Sequence, residues 1–206
     1  GVNPDQFEQG QPNDVGPDFL AVGRFVEKKA PYLTILAFSR VVAEVPDATL
    51  TIVGTGPLLG PCKRLVEALG LGDSVHLLGA QGPDVVQKHM RTARAFVQHS
   101  LVADNGDSEG THVAVIEAQM SGLPVISTDH AGIPDVVIHE ETGFIVDEAD
   151  LEGMTDAMLC IAKDVPLAGR FGSAARERAI EHFTMDRHIG DLAKMIREGT
   201  ESHRLK

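Results

Sequence analysis

The stretch Glu109-Gly110-Thr111-His112-Val113-Ala114-Val115-Ile116-Glu117 decides how this chain can be interpreted. It places two carboxylates at the start of an apolar helical pattern that is predicted to run from Thr111 to Met120. At about 1.5 Å of rise per residue, Glu117 would lie roughly 10 Å from the helix start. Helix N-termini attract phosphate through their free amides, and carboxylates accept hydrogen bonds from vicinal diols. The spacing alone leaves two interpretations open: a grip on two ends of one ligand, or two solvated acids beside a packing helix.

Short apolar runs alternate with segments of helical spacing across most of the chain. Runs rich in β-branched and apolar residues predict strands at 19–23, 48–53, 74–78, 95–98, 124–127 and 143–146. Helical spacing predicts further helices at 31–45, 59–69, 84–92, 150–163, 166–182 and 185–198. This alternation predicts an α/β fold: a Rossmann-like parallel sheet with helices on both faces and a helical C-terminal tail. Ligands are expected outside the carboxyl ends of the strands.

The composition fits a single soluble α/β domain and disfavours several partners. The chain has 206 residues, of which 43% are hydrophobic, and a formal net charge of -12. Nucleic acid is disfavoured, because no basic excess is available to displace counterions. No apolar run approaches the roughly 20 residues that span a bilayer, and the N-terminus does not resemble a signal peptide, so a cytoplasmic location is expected. Cys62 and Cys160 lie in helical patterns and are expected to be buried, reduced thiols.

Two motifs near the first predicted strands have more than one interpretation. Arg24, Lys28 and Lys29 follow the first strand, and two of them could neutralise a diphosphate. On charge alone, however, such a triplet favours a solvated surface patch. Gly54-Thr55-Gly56 follows the second strand, but Gly60 comes one residue too late for a dinucleotide-binding fingerprint. This turn either lets the backbone approach a ligand or simply joins a strand to a helix.

Taken in order, these motifs resemble the donor-binding core of retaining GT-B-type glycosyltransferases, group 1 (family 4). That family carries Glu, seven residues and Glu, followed by G-x-P and G-x-P-E. The corresponding stretches here are 109–117, Gly122-Leu123-Pro124 and Gly132-Ile133-Pro134-Asp135. Stretches 22–29, 53–58 and 141–146 are also similar to the family, so the resemblance covers most of the chain. His112 departs from it, because the family usually has Gly there, and the backbone approach to the ligand could therefore differ.

The resemblance implies a hexosyltransferase that moves sugar from a nucleoside-diphosphate sugar to a saccharide or lipid-linked acceptor, with no cofactor and no metal. It also implies three segments: an interdomain linker at 1–17, a nucleotide-sugar-binding Rossmann-like domain at 18–184, and a crossing helix and tail at 185–206. The implied partner is an N-terminal acceptor-binding domain of the same protein, through which any peripheral membrane association would run. Without that domain the chain is expected to be inactive.

The family's site residues carry over position by position. Catalytic roles fall on Arg24 and Lys29, which would hold the diphosphate, and on Glu109, which would hold the sugar hydroxyls. Glu117 would hold the ribose. Further donor contacts are implied for Gly23, Gly54, Gly56, Leu78, Gly79, Gly110, Thr111, His112 and Val113, with Leu78 and Gly79 near the nucleobase. Lys28 stays with the solvated interpretation.

Two other functions stay open from the sequence. Glu109 and Glu117 could be the carboxylate pair of a glycosidase, which needs them about 5 to 9 Å apart across a sugar cleft. The chain could also be a non-catalytic module that binds a nucleotide or a sugar phosphate. No metal site is predicted, because D-x-D is absent and the acidic run at 104–109 has the wrong ligand spacing for calcium. His99 and His112 are predicted to be hydrogen-bonded structural residues.

Overall fold

A computed structural model describes residues 1–108 and 112–204 of the chain. Its strands are β1 Asp18–Val22, β2 Thr49–Val53, β3 Val75–Gly79, β4 Ala95–Gln98, β5 Val125–Thr128 and β6 Gly143–Val146. Its α-helices are α1 Pro31–Glu44, α2 Leu59–Ala68, α3 Pro83–Thr92, α4 Val113–Met120, α5 Ile133–Val136, α6 Leu151–Lys163, α7 Val165–His182 and α8 Met185–Arg204. Short 3-10 turns cover Pro4–Gln6 and Glu27–Lys29.

The six strands form one sheet in the order β3-β2-β1-β4-β5-β6, and every neighbouring pair is parallel. The chain winds outward from β1 to β3 and then returns to place β4 on the other side of β1. The strand order therefore reverses between β1 and β4, and the crevice at such a switch point is where open α/β sheets bind ligands. The predicted α/β fold with a parallel sheet is confirmed.

Two apolar layers cover the two faces of the sheet. Along β1, Phe19 and Ala21 face a layer that contains α1, α2 and α6, whereas Leu20 faces a layer that contains α3, α4 and α5. Phe19 meets Phe38 of α1 edge to face, with ring centroids 6.3 Å apart. This alternation is what a strand buried on both faces requires. The helices thus lie on both faces, as predicted.

Several helix starts follow directly from the sequence. Pro31 and Pro83 occupy the first turns of α1 and α3, where their missing N–H groups cost nothing. The carboxylate of Asp150 accepts the Gly153 N–H at 2.9 Å, and that of Asp164 accepts the Leu167 N–H at 2.9 Å. These side chains satisfy amides that have no partner within their own helices.

Residues 1–17 and α8 meet at one point on the surface of the sheet domain. Val2 forms an isolated parallel bridge with Thr184, in which the Val2 N–H donates to Phe183 O at 2.8 Å and the Met185 N–H donates to Val2 O at 3.0 Å. From there α8 presents apolar side chains to solvent, namely Met185, Ile189, Leu192, Met195 and Ile196. Among the described residues, no helix combines the length and the apolarity that crossing a membrane would need.

Two expectations from the sequence need correction. Cys62 is buried, but Cys160 lies on the exposed side of α6. The helical pattern predicts that Cys160 lies in a helix, but it does not determine whether this small side chain is on the buried or the exposed face. Helix α4 begins at Val113 rather than at Thr111, so Glu117 lies about 6 Å from the helix start, a little over one turn along.

Candidate functional site

The switch point between β1 and β4 carries a small cleft that is partly open to solvent. Gly23 follows β1, and Gln98 ends β4. A Cβ atom placed on Gly23 would lie 3.7 Å from Lys29 Cε and 3.9 Å from Gln98 Oε1, so the Lys29 side chain passes over the end of β1. The cleft is lined by Gly23, Arg24, Lys29, Pro31, Thr34 and Gln98, among others. Three of the predicted site residues therefore meet at the predicted edge of the sheet.

Arg24 and Lys29, the two residues predicted to bind phosphate, differ in their exposure. Arg24 is exposed, and Lys29 closes the 3-10 turn Glu27–Lys29 and is half-buried. The next residue, Ala30, has a left-handed backbone with φ 33° and caps α1. Such a conformation is unusual for alanine, costs of the order of 1–3 kcal/mol, and recurs at ligand sites. The turn thus delivers a cation to the cleft immediately before the α1 helix.

Lys28 is not the solvated residue that the charge pattern suggested. Its ammonium group lies 2.9 Å from Asp107 Oδ1 and donates to the Ser108 carbonyl at 3.2 Å, and only 22% of the side chain is exposed. The contact spans 79 positions of sequence, so no local pattern could reveal it. Lys28 attaches the turn before α1 to the loop between β4 and α4.

Gly54 and Gly56 pack against protein backbone. A Cβ atom on Gly54, which has φ 144°, would lie 1.9 Å from Gly23 O, and one on Gly56 would lie 2.5 Å from Phe25 O. The turn at 23–25 sits on the turn at 54–56, with the Phe25 N–H donating to Thr55 O at 2.9 Å. Glycine is needed here so that the segment carrying Arg24 can approach β2 closely.

The first amides of helix α4 precede its intrahelical hydrogen bonds. The earliest backbone bonds of the helix are donated by Val115 and Ile116 to the carbonyl of His112, so the amides of Val113 and Ala114 precede them. His112, at the N-cap, has φ −89°, a value that any residue adopts, and the expected glycine is therefore not required for this backbone. Glu109, Gly110 and Thr111 lie outside the described residues.

Glu117 is a half-buried carboxylate on α4. Burial raises its pKa above the ordinary value for a glutamate. A carboxylate held in such a place pays a desolvation penalty and gains from donors that a ligand can supply, such as hydroxyl groups. This environment suits the predicted contact with a diol.

Leu78 and Gly79, the residues predicted to lie near the nucleobase, are at the end of β3. Leu78 is partly exposed, and its carbonyl accepts a hydrogen bond from Gln81 Nε2 at 2.8 Å. The Gly79 carbonyl accepts the Gly54 N–H at 2.8 Å. Both carbonyl groups thus have protein donors, so a nucleobase that approached this edge would have to share them or use the adjoining amides.

Three buried histidines, His99, His112 and His130, lie in the connections that follow β4 and β5. The sequence gives no sign that two of them are in contact. His99 is fully buried, accepts the Ala149 N–H at Nε2 at 2.8 Å, and has no partner for Nδ1 among the described residues. His112 and His130, both nearly fully buried, meet edge to face with centroids 6.3 Å apart. The prediction that His99 is a hydrogen-bonded structural residue agrees with this placement.

The pKa of His99 makes its burial measurable. Desolvation lowers this pKa to about 4, although Glu148 and Asp150 act in the opposite direction. In the unfolded chain, His99 is protonated near its ordinary pKa. In the folded chain, it is protonated only at a much lower pH. Acidification from about pH 8 to about pH 5 is therefore expected to lower the free energy of unfolding by about 2 kcal/mol through His99.

Denaturant unfolding across this pH range checks the expectation. His99→Gln keeps an acceptor for the Ala149 N–H but cannot titrate, so its profile should be flatter by that amount. His76→Gln, at an exposed position of β3, is the control and should leave the profile unchanged. Equal profiles for the wild type and His99→Gln would show that His99 is protonated as easily in the folded state as in the unfolded one.

The chain matches a known fold and a known sequence family. The fold matches that of Anabaena HepE in a structure with UDP and glucose, with a TM-score of 0.83 over 96% of this chain and 55% of that one, at 16% identity. The sheet and helices are thus those of a GT-B-like Rossmann fold. The sequence model of the family described as glycosyl transferases group 1 matches residues 2–178. The chain belongs to this family.

Two relatives illustrate the range of the family. The chain is 29% identical over 182 residues to a GDP-mannose-dependent alpha-(1-6)-phosphatidylinositol monomannoside mannosyltransferase of Mycobacterium tuberculosis, covering 88% of this chain and 47% of that protein. It is 32% identical over 177 residues to the amylovoran biosynthesis glycosyltransferase AmsK of Erwinia amylovora, covering 86% and 44%. The chain therefore spans about half the length of the curated relatives it matches.

Proposed function

We propose that this chain is the donor-binding part of a retaining glycosyltransferase, which transfers a hexose from a nucleoside-diphosphate sugar to a saccharide or lipid-linked acceptor. One observation carries the proposal: Arg24 and Lys29 line the cleft at the β1–β4 switch point, in a chain whose net charge is -12. Two cations concentrated at the ligand-binding edge of an acidic protein favour an anionic ligand there. Family membership supports the same interpretation.

In the proposed complex, the diphosphate lies between these cations and the first amides of α4. Positive groups fixed in advance stabilise the charge that grows on the leaving phosphate as the glycosidic bond breaks. Glu117 accepts hydrogen bonds from the ribose, and Glu109 accepts them from the transferred sugar. The acceptor attacks from the side of the leaving group, so the proposal requires neither a protein nucleophile nor a metal ion.

The proposal includes an acceptor-binding domain elsewhere in the same protein, with 1–17 as the linker, 18–184 as the donor domain and 185–206 as the returning segment. The apolar side chains that α8 exposes, such as Ile189, Leu192 and Ile196, support it, because such a stripe is normally covered by a partner. We place the reaction in the cytoplasm, with any peripheral membrane association through the acceptor-binding domain.

Titration of the chain by calorimetry tests the proposal. UDP, GDP and ADP are compared with their free nucleosides and with neutral oligosaccharides. At least one nucleoside diphosphate should bind, and more tightly than its nucleoside, while sugar transfer by this chain alone should not occur because acceptor alignment needs the other domain. Binding of oligosaccharides only would favour a glycosidase, and absence of nucleotide binding would contradict the proposal.

Replacement of Glu117 separates its proposed binding role from its effect on the fold. Glu117→Gln should weaken both the nucleoside diphosphate and the nucleotide sugar by about 1 to 3 kcal/mol, because both carry the ribose. The folded-state pKa of Glu117 is raised, so its ionisation opposes folding as the pH rises above the ordinary glutamate range. The same variant should therefore be more stable than the wild type at neutral pH, and this gain should vanish in acid.

Two variants serve as comparisons in calorimetry and unfolding. Glu109→Gln should spare the plain diphosphate and weaken only the sugar-bearing ligand. Glu67→Gln, at an exposed position of α2, should alter neither binding nor stability. If Glu109→Gln weakens the plain diphosphate as much as Glu117→Gln does, the assignment of sugar to one carboxylate and ribose to the other is wrong.

A further inference from the structure

Gln98, the last residue of β4, has a buried side chain that uses only one end of its amide group. The side chain is 4% exposed. Its Nε2 donates to Ser100 Oγ at 2.9 Å, whereas Oε1 has no hydrogen-bond partner among the described residues. A buried acceptor that lacks a donor destabilises a fold, so its presence calls for a physical explanation.

The amide of Gln98 is held in one orientation by its surroundings. Ser127 Oγ, on the neighbouring strand β5, donates to the backbone carbonyl of Gln98 at 2.7 Å. Ser100, which binds the amide nitrogen, is itself fixed, because its N–H donates to Thr128 Oγ1 at 3.0 Å and its carbonyl accepts from the same hydroxyl group at 2.5 Å. With its nitrogen engaged in this way, the amide keeps its oxygen on the side of Gly23.

The Oε1 atom of Gln98 borders a gap over Gly23 in the candidate cleft. A Cβ atom placed on Gly23 would lie 3.9 Å from this oxygen and 3.7 Å from Lys29 Cε, which are ordinary van der Waals distances. The missing side chain of Gly23 thus leaves space for about one methyl-sized group between the amide oxygen and Lys29. All three residues line the cleft at the β1–β4 switch point.

A ligand atom in this gap has to suit both of its polar neighbours. The ammonium group of Lys29 can only donate hydrogen bonds, and the amide oxygen of Gln98 can only accept them. A phosphate oxygen would accept from Lys29 but would face the Gln98 oxygen without a hydrogen between them. A hydroxyl group can accept from one and donate to the other. The pair therefore favours a hydroxyl group at this point.

We propose that Gln98 is a further ligand-binding residue: its amide oxygen accepts a hydrogen bond from a ring hydroxyl of the nucleotide sugar that enters the gap over Gly23. This inference rests on the proposed function, because it takes a nucleotide sugar as the ligand. The flexible side chain of Lys29 turns toward a phosphate of that ligand and thereby widens the gap. The hydroxyl belongs to the ribose or to the transferred sugar, and ligands with and without the transferred sugar distinguish the two sources.

The test compares Gln98→Met with Gln119→Met. Methionine keeps the length of the side chain but has no amide. Gln119 on α4 is the matched control, because it is fully buried and its Oε1 also has no partner among the described residues, yet it does not line the cleft. Calorimetry uses UDP with UDP-glucose or GDP with GDP-mannose, whichever pair the wild type binds, and inorganic pyrophosphate, which carries no sugar.

Gln98→Met should weaken the nucleotide sugar by about threefold to tenfold, the range of one neutral hydrogen bond. Pyrophosphate should bind as tightly as before. The plain nucleoside diphosphate should weaken equally if the ribose supplies the hydroxyl, and should stay unchanged if the transferred sugar supplies it. The urea midpoint should change little, because the lost bond to Ser100 is offset by the removal of an unpaired buried oxygen. Gln119→Met should match the wild type in every affinity.

Gly23→Ala tests the gap itself. The new Cβ atom would meet its neighbours at ordinary distances, and Gly23 has no left-handed φ, so the urea midpoint should again change little. The affinity for the nucleotide sugar should fall by roughly tenfold, because the methyl group takes the place of the hydroxyl. Adding Gln98→Met to Gly23→Ala should then cause little further loss, since the two changes remove the same contact. Additive losses would contradict a shared contact in the gap.

Different failures separate the two proposals. If the wild type binds no nucleotide, the proposed function is wrong and the role of Gln98 falls with it. If the wild type binds the nucleotide sugar and Gln98→Met leaves that affinity unchanged, only the role of Gln98 is wrong. An equal loss of affinity for pyrophosphate, or an equal loss in Gln119→Met, would also overturn that role, because it would indicate general damage rather than a missing hydrogen bond.

Discussion

Replacing Gly54 with alanine is expected to lower the free energy of unfolding by about 3 kcal/mol or more. The new Cβ atom would lie 1.9 Å from the Gly23 carbonyl oxygen, which belongs to backbone and cannot turn away. The φ of 144° adds strain, because L residues rarely adopt it. Overpacking costs about 1–3 kcal/mol, and an unfavourable backbone conformation costs a similar amount. Urea unfolding measures the sum.

Two other glycines divide this effect into its parts. Gly70 has φ 68° but open space around its missing Cβ, so Gly70→Ala should show only the conformational cost. Gly72 has open space around its missing Cβ and no left-handed φ, so Gly72→Ala should be nearly neutral. If Gly54→Ala loses no more stability than Gly70→Ala, the close contact with Gly23 does not constrain the fold.

Replacing Arg24 or Lys29 with alanine is expected to weaken nucleoside diphosphate binding by about 1.5 to 3 kcal/mol, or roughly tenfold to a hundredfold. Each removes a cation from the cleft at the end of β1. Affinity for the free nucleoside should stay nearly the same, because that ligand carries no phosphate. Calorimetry with both ligands, at low and high salt, measures the difference, which should shrink as salt rises.

The control for this pair is Lys63→Ala, which removes an exposed cation from α2. It alters the net charge equally but should leave both affinities unchanged. Losses of the same size for nucleoside and diphosphate would assign Arg24 and Lys29 to folding or to base contact. An effect from Lys63→Ala as large as theirs would indicate that only the overall charge matters.

The sheet could be predicted because each strand has a recognisable local sequence pattern. Runs such as 48–53 and 95–98 are short, apolar and bounded by turn residues, and a strand buried on both faces needs little else. The helices of the core follow from spacing and from Pro31 and Pro83. Helix α4 begins two residues later than the sequence predicts, because the identity of His112 does not reveal the backbone geometry of the cap.

The candidate site could be predicted only in part, because the roles of several residues depend on contacts with residues that are distant in the sequence. Arg24, Lys29 and Gly23 were named from motifs and do converge at one cleft. The role of Lys28 depends on its contact with Asp107, which is 79 positions away in sequence. The type of a single residue does not reveal which distant residue it will contact in the folded chain.

The bridge between Val2 and Thr184 has a mechanical consequence. The chain enters the sheet domain and leaves it for α8 at neighbouring points, which are joined by two backbone hydrogen bonds. A second body connected both ahead of residue 1 and through α8 would share a single pivot with this one. Its rotation would need changes in only a few backbone angles near Val2 and Thr184, with the sheet intact. Stiffening that pivot would slow the rotation of such a second body while leaving the cleft itself unaltered.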